Sequence, residues 1–142
     1  MRISVITPAF VDTIPDQLKD GILYICERYR IAAHKCCCGC GEEVITPLTP
    51  ADWSVRKEGN AVSLTPSIGN WSFACKSHYW IRRNQVVWAR QLSPRQINKV
   101  KARDKADKEA YIVVINRQKQ QQASPVSMLA TLLQALMRWW KS

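Results

Sequence analysis

No stretch of this chain approaches the roughly 20 apolar residues that a membrane-spanning helix requires, and no internal repeat is visible. Met1 to Phe10 lacks a basic segment followed by a long apolar core, and Pro8 interrupts it, so no secretory leader is expected. Acidic residues are scarce in the second half. Residues 56–142 carry 16 Lys/Arg against 4 Asp/Glu, whereas residues 1–55 carry 5 against 7. A basic half attracts acidic surfaces, nucleic acid or protein, although charge alone also describes a solvated face. With 46% hydrophobic residues, wholesale disorder is excluded. At 142 residues the chain suits one domain with an appended tail, whose modest core would gain from a metal staple.

Histidine is scarce too, and its placement is informative. Both histidines and five of the six cysteines fall in two clusters, His34-Lys35-Cys36-Cys37-Cys38-Gly39-Cys40-Gly41 and Cys75-Lys76-Ser77-His78; only Cys26 lies outside. A metal needs several soft donors within about 2.0–2.3 Å of one point, and two short clusters on separate elements supply them. Disulfides fit poorly, because Cys36-Cys37-Cys38 would close strained rings, and an Fe–S cluster rarely uses His. The spacing predicts a closed Cys3His zinc site from Cys38, Cys40, Cys75 and His78, with Cys36 as an alternative ligand and His34 as a supporting partner. Free thiols and no leader point to the cytoplasm.

The segments between the clusters read as short strands. Arg2–Thr7 is a first strand; residues 22–34 form one long strand or two with a bulge; Glu43–Leu48 leaves the cysteine turn as another. Glu58-Gly59-Asn60 turns a hairpin between residues 53–57 and 61–65, and residues 79–82 and 86–89 pair about a turn near Asn84. The expected fold is mainly β, a small antiparallel meander stapled by one zinc and followed by one or two C-terminal helices. Residues 1–92 form the zinc-binding β domain. Residues 93–115 hold a basic helix, opened by Ser93-Pro94 with Gln96, and a short strand at Tyr111–Ile115 packed on that domain. Residues 116–124 read as a polar linker, and 125–142 as an amphipathic helix with Met128, Leu129, Leu132, Leu133, Leu136, Met137 and Trp140 on one stripe. That stripe is expected to pack on its own domain, on a second copy as a homodimer, or on a partner.

The chain resembles a bacterial family of small zinc-binding proteins over residues 21–90, through the first cysteine cluster, Pro66-Ser67-Ile68-Gly69-Asn70-Trp71, Cys75-Lys76-Ser77-His78-Tyr79-Trp80-Ile81 and Val87-Trp88. That family often has Pro where Cys37 stands, which argues against Cys37 as a ligand. Its members often accompany bacterial ubiquitin-like conjugation genes, so the resemblance implies a zinc-binding fold and such partners.

No catalytic set stands out in the sequence. Ser77 beside His78 is only a neighbour in sequence, and Glu42 or Glu43 would serve as a base only beside an open zinc. The expected function is therefore a non-enzymatic, zinc-stabilised adaptor of a ubiquitin-like conjugation or defence system, with Trp71, Tyr79, Trp80, Trp139 and Trp140 meeting a protein partner. A nucleic-acid-binding module using Lys76, Arg82, Arg83, Arg90 and Arg95 is the alternative, and a zinc hydrolase ranks behind both.

Overall fold

The structure, a computed structural model, describes residues 1–122 and 125–140. They divide into two units, Met1–Lys99 and Val100–Ser142. The first is built on two four-stranded sheets. One runs in the order β1 (Thr7–Phe10), β2 (Ile22–Cys26), β3 (Ile31–Lys35), β4 (Glu43–Pro47). The other runs β5 (Ser54–Glu58), β6 (Ala61–Gly69), β7 (His78–Arg82), β8 (Gln85–Trp88). Every pairing is antiparallel except β1 with β2, which is parallel. The expectation of a mainly β fold is met, with two sheets in place of one meander.

Local chemistry explains the strand ends. The run from Ile22 to His34 folds as a hairpin, because Arg30 takes a φ of 52° and its amide closes a turn on the Glu27 carbonyl. Arg83 and Asn84 both have positive φ and join β7 to β8 in the tight turn that suits the twist of paired strands. The first strand lies later than expected, at Thr7–Phe10. The residues before it bridge the other sheet, where Ile6 donates to Asn84 and Val86 to Ser4, while Ile3 donates to Cys37. The alternating apolar residues of both sheets meet in one core containing Ile6, Leu23, Ile25, Val44, Val62, Leu64, Ile68, Tyr79 and Ile81.

The C-terminal half departs from expectation. Ser93 caps α1 (Pro94–Gln122) reciprocally with Gln96, as the motif predicts. The helix then continues through Tyr111–Ile115, where a strand was expected, and through Gln122, where a linker was expected. Ile112, Val113 and Val114 have strand propensity but no neighbouring strand among the described residues to complete their hydrogen bonds. A helix free of Gly and Pro from Arg95 onward satisfies its own, with Arg103–Asp107 and Lys105–Glu109 ion pairs one turn apart. α2 (Pro125–Trp140) is helical as expected, but Leu129, Leu132, Leu133, Leu136, Met137, Trp139 and Trp140 are all exposed. The Met128 side chain and residues 123, 124, 141 and 142 lie outside the described residues. No helix among the described residues is long and apolar enough to cross a membrane.

Candidate active site

Between β3 and β4 the chain makes a tight cysteine turn. The Cys36 amide donates to the Glu42 carbonyl, Gly39 donates to Cys36, and Gly39 and Gly41 adopt φ of 83° and 88°. At Gly39 a Cβ would strike the backbone of Met1, so glycine is required there twice over. The second cluster lies on the turn before β7, held by hydrogen bonds from Phe73 to Asn70 and from Lys76 to Phe73.

Four sulfurs converge: Cys36, Cys38, Cys40 and Cys75, all within 4.8 Å of one another. The Cys36–Cys38, Cys36–Cys75 and Cys40–Cys75 separations are 3.4, 3.9 and 3.8 Å, and no disulfide joins them. A tetrahedron with metal–sulfur bonds of about 2.3 Å has edges of about 3.8 Å, so the four thiols fit a metal ion. Burial raises the Cys38 and Cys40 thiols; at Cys75 burial also raises, but hydrogen bonds from the Ser77 side chain and backbone outweigh it and bring it to about 7. One thiol of the group ionises readily, and a cation would favour ionisation of all four. Cys37 points away into the core, where burial pushes its thiol up to about 12.

Behind the sulfurs is a buried polar network. Asn70 Nδ2 donates to Ser77 Oγ at 2.9 Å and reaches Cys36 Sγ and Tyr79 OH, both at 3.5 Å. Ser77 Oγ is 3.1 Å from Cys36 Sγ. Tyr79 OH lies 2.8 Å from His34 Nε2. Burial lowers His34 to about 4, so its ring is neutral at pH 7, and its tautomer sets which of Nε2 and the tyrosine hydroxyl donates.

His78 does not join this group, which corrects its expected place as a ligand; Cys36 takes that place. Because His78 opens β7, its side chain and that of Trp80 lie on the sheet face opposite Tyr79, while Cys75 remains in the turn. Its Nε2 is instead 3.0 Å from Ser67 Oγ. Ser67 shares a sheet face with Gly69, two places on, and Gly69 pairs with His78. Leu64 pairs with Ile81 but Ile68 pairs with Tyr79, so β6 carries two residues more than β7 over this interval. Pro66, on a cis peptide bond with Thr65, and Ser67 occupy that bulge, a device that redirects side chains. The indoles of Trp71 and Trp80 lie beside the imidazole, with centroids at 4.9 and 5.4 Å.

A hydroxyl within hydrogen-bond reach of an imidazole is the arrangement of an activated nucleophile and its base. Sequence reasoning missed Ser67 although its segment was conspicuous; the signal was a serine among small residues beside proline, eleven positions from a histidine. Ser77 touches Cys36 and Asn70 instead. Tyr79, expected at a partner surface, is wholly buried, since its hydroxyl is needed by His34. Trp71 and Trp80 are half-buried, and Trp139 and Trp140 exposed. Lys76, Arg82, Arg83, Arg90 and Arg95 are exposed, with the Arg82 guanidinium 5.1 Å from the Trp80 ring centroid.

A family model described as bacterial ubiquitination-like system serine protease (BubE) matches residues 10–89, more than half of the chain. No curated protein and no solved structure matches. The match overturns the expected non-enzymatic adaptor and its nucleic-acid-binding alternative, because this family is named for proteolysis. The expected link to a bacterial ubiquitin-like system stands.

Proposed function

The chain belongs to this family of bacterial ubiquitination-like system serine proteases, and we propose that Ser67 is its nucleophile and His78 its general base. The observation that carries this reading is the 3.0 Å approach of His78 Nε2 to Ser67 Oγ. His78 Nε2 takes the hydroxyl proton as Ser67 Oγ attacks a peptide carbonyl, then returns it to the departing amine. Water hydrolyses the acyl-enzyme by the same exchange, and the serine is restored. The substrate is a protein of the ubiquitination-like system, and the activity resides in the β domain, residues 1–92.

Cys36, Cys38, Cys40 and Cys75 would hold zinc, for which four thiolates at tetrahedral spacing are a closed structural set. With sulfur at all four corners of a tetrahedron no position is open, so a metal there would supply fold stability. It would tie the β3–β4 turn to Cys75, three places before His78. Asn70 and Ser77, which touch Cys36, steady the sulfurs from behind. Unpaired thiols of this kind suit a reducing compartment such as the cytoplasm.

The test is labelling by a fluorophosphonate, which reacts preferentially with an activated serine. Mass spectrometry should place the adduct on Ser67. Ser67→Ala should abolish labelling, and His78→Ala should slow it by roughly 10³-fold or more. An adduct elsewhere, or undiminished labelling of Ser67→Ala, overturns the assignment.

A further inference from the structure

In a catalytic triad a third group bonded to Nδ1 orients the base and stabilises the imidazolium that forms. His78 has no such group. Its Nδ1 is buried and has no hydrogen-bond partner among the described residues. Two indoles stand close to the ring instead. Trp71 lies 4.9 Å away at an interplanar angle of 59°, and Trp80 lies 5.4 Å away at 39°.

Backbone features bring each indole there. Trp80 is two residues beyond His78 on the same strand and so shares its face. Trp71 follows β6 and folds back over Gly69, the residue directly opposite His78 in the sheet. A Cβ at Gly69 would fall against Cε2, Cζ2 and Nε1 of that indole, so the absence of a side chain is what admits the ring.

We propose that Trp71 and Trp80 are positioning residues, an aromatic clamp that takes the part of the third triad member. This rests on the Ser67–His78 assignment and goes one step further. The two rings limit rotation of the imidazole so that Nε2 stays on Ser67. When His78 accepts the serine proton, the electron-rich indole faces stabilise the new positive charge by a cation–π interaction. The clamp therefore acts on the chemical step and not on the capture of substrate.

The experiment uses the full metal-loaded chain and a small alkyl fluorophosphonate, with the maximal inactivation rate separated from the affinity of the first encounter. Trp71→Leu and Trp80→Leu should each lower the maximal rate by roughly tenfold, the kinetic equivalent of one cation–π contact. Encounter affinity and metal content should hold, and Trp71→Phe should recover most of the rate. Wild-type rates in both leucine variants, a loss confined to encounter affinity, or a phenylalanine variant no better than leucine would overturn the clamp. Should Trp71→Leu fail to fold, Trp80→Leu decides alone. Persistent labelling of Ser67→Ala would instead defeat the underlying dyad, so the two failures are distinct.

Discussion

Gly69→Ala is a one-carbon perturbation whose whole effect should pass through Trp71. The backbone of Gly69 is outside the left-handed region, so alanine introduces no conformational strain there. Its methyl group, however, would overlap the indole, against Cε2, Cζ2 and Nε1. Restoring an ordinary carbon–carbon separation of about 3.5–4.0 Å requires the ring to retreat by about 1 Å or more. Overpacking of this sort destabilises by about 1–3 kcal/mol. The displaced ring can no longer hold His78, and a misplacement of about 1 Å at a reacting pair can cost about 100-fold in rate. Urea unfolding and fluorophosphonate labelling read the two effects separately. A Gly69→Ala/Trp71→Leu double variant makes the argument sharper: removing the indole relieves the clash, so stability should recover relative to Gly69→Ala while labelling stays slow. Wild-type labelling together with an unshifted urea midpoint in Gly69→Ala would refute the reasoning, because the ring would then not occupy that space.

Cys36→Ser should lower metal content, measured by mass spectrometry of the elements, whereas Cys37→Ser should leave it unchanged; the reverse pattern would reassign the ligand set. Burial holds His34 at about 4 against an ordinary 6.5. Between those values the unfolded chain binds a proton that the folded chain refuses, so stability is complete above pH 6.5 and falls as pH drops towards 4. The loss amounts to about 3 kcal/mol, seen as urea midpoints that decline over that window and flatten in His34→Gln; equal slopes in both proteins would exclude this origin. Trp139 and Trp140 are exposed, so truncation after Gln122 should remove much of the iodide-quenchable tryptophan fluorescence; quenching undiminished by the cut would refute that exposure.

The strands were legible because alternation and turn residues agree, as at Glu58-Gly59-Asn60 between β5 and β6. The two cysteine clusters were legible as one site, since soft donors have few other reasons to gather. What misled was Cys75-x-x-His78, which reads as a pair of ligands. The first residue of β7 turns its side chain to the outer face, and sequence spacing does not reveal where a turn ends and a strand begins. Ser67 was hidden for a related reason. Ser67 shares the face of Gly69, which pairs with His78, and that register is set by strand pairing that sequence spacing does not show. At Ile112–Val114 strand propensity was real but lost to the hydrogen bonds a continuous helix supplies by itself.

The nucleophile and base belong to one hairpin, eleven positions apart, whereas Cys40 and Cys75 are separated by 35. Hairpins close in roughly 1–10 μs, while synthesis proceeds at about 5–20 residues per second. On the ribosome, then, the Cys36–Cys40 turn is made first and waits some seconds for its fourth sulfur. During that wait three thiols stand without Cys75, the interval in which oxidation or capture of the wrong metal would do most harm. Cys75 leaves the ribosome three residues ahead of His78, so the fourth sulfur is synthesised before the base. Ser67 comes eight residues before Cys75 and has no base to activate it until His78 follows.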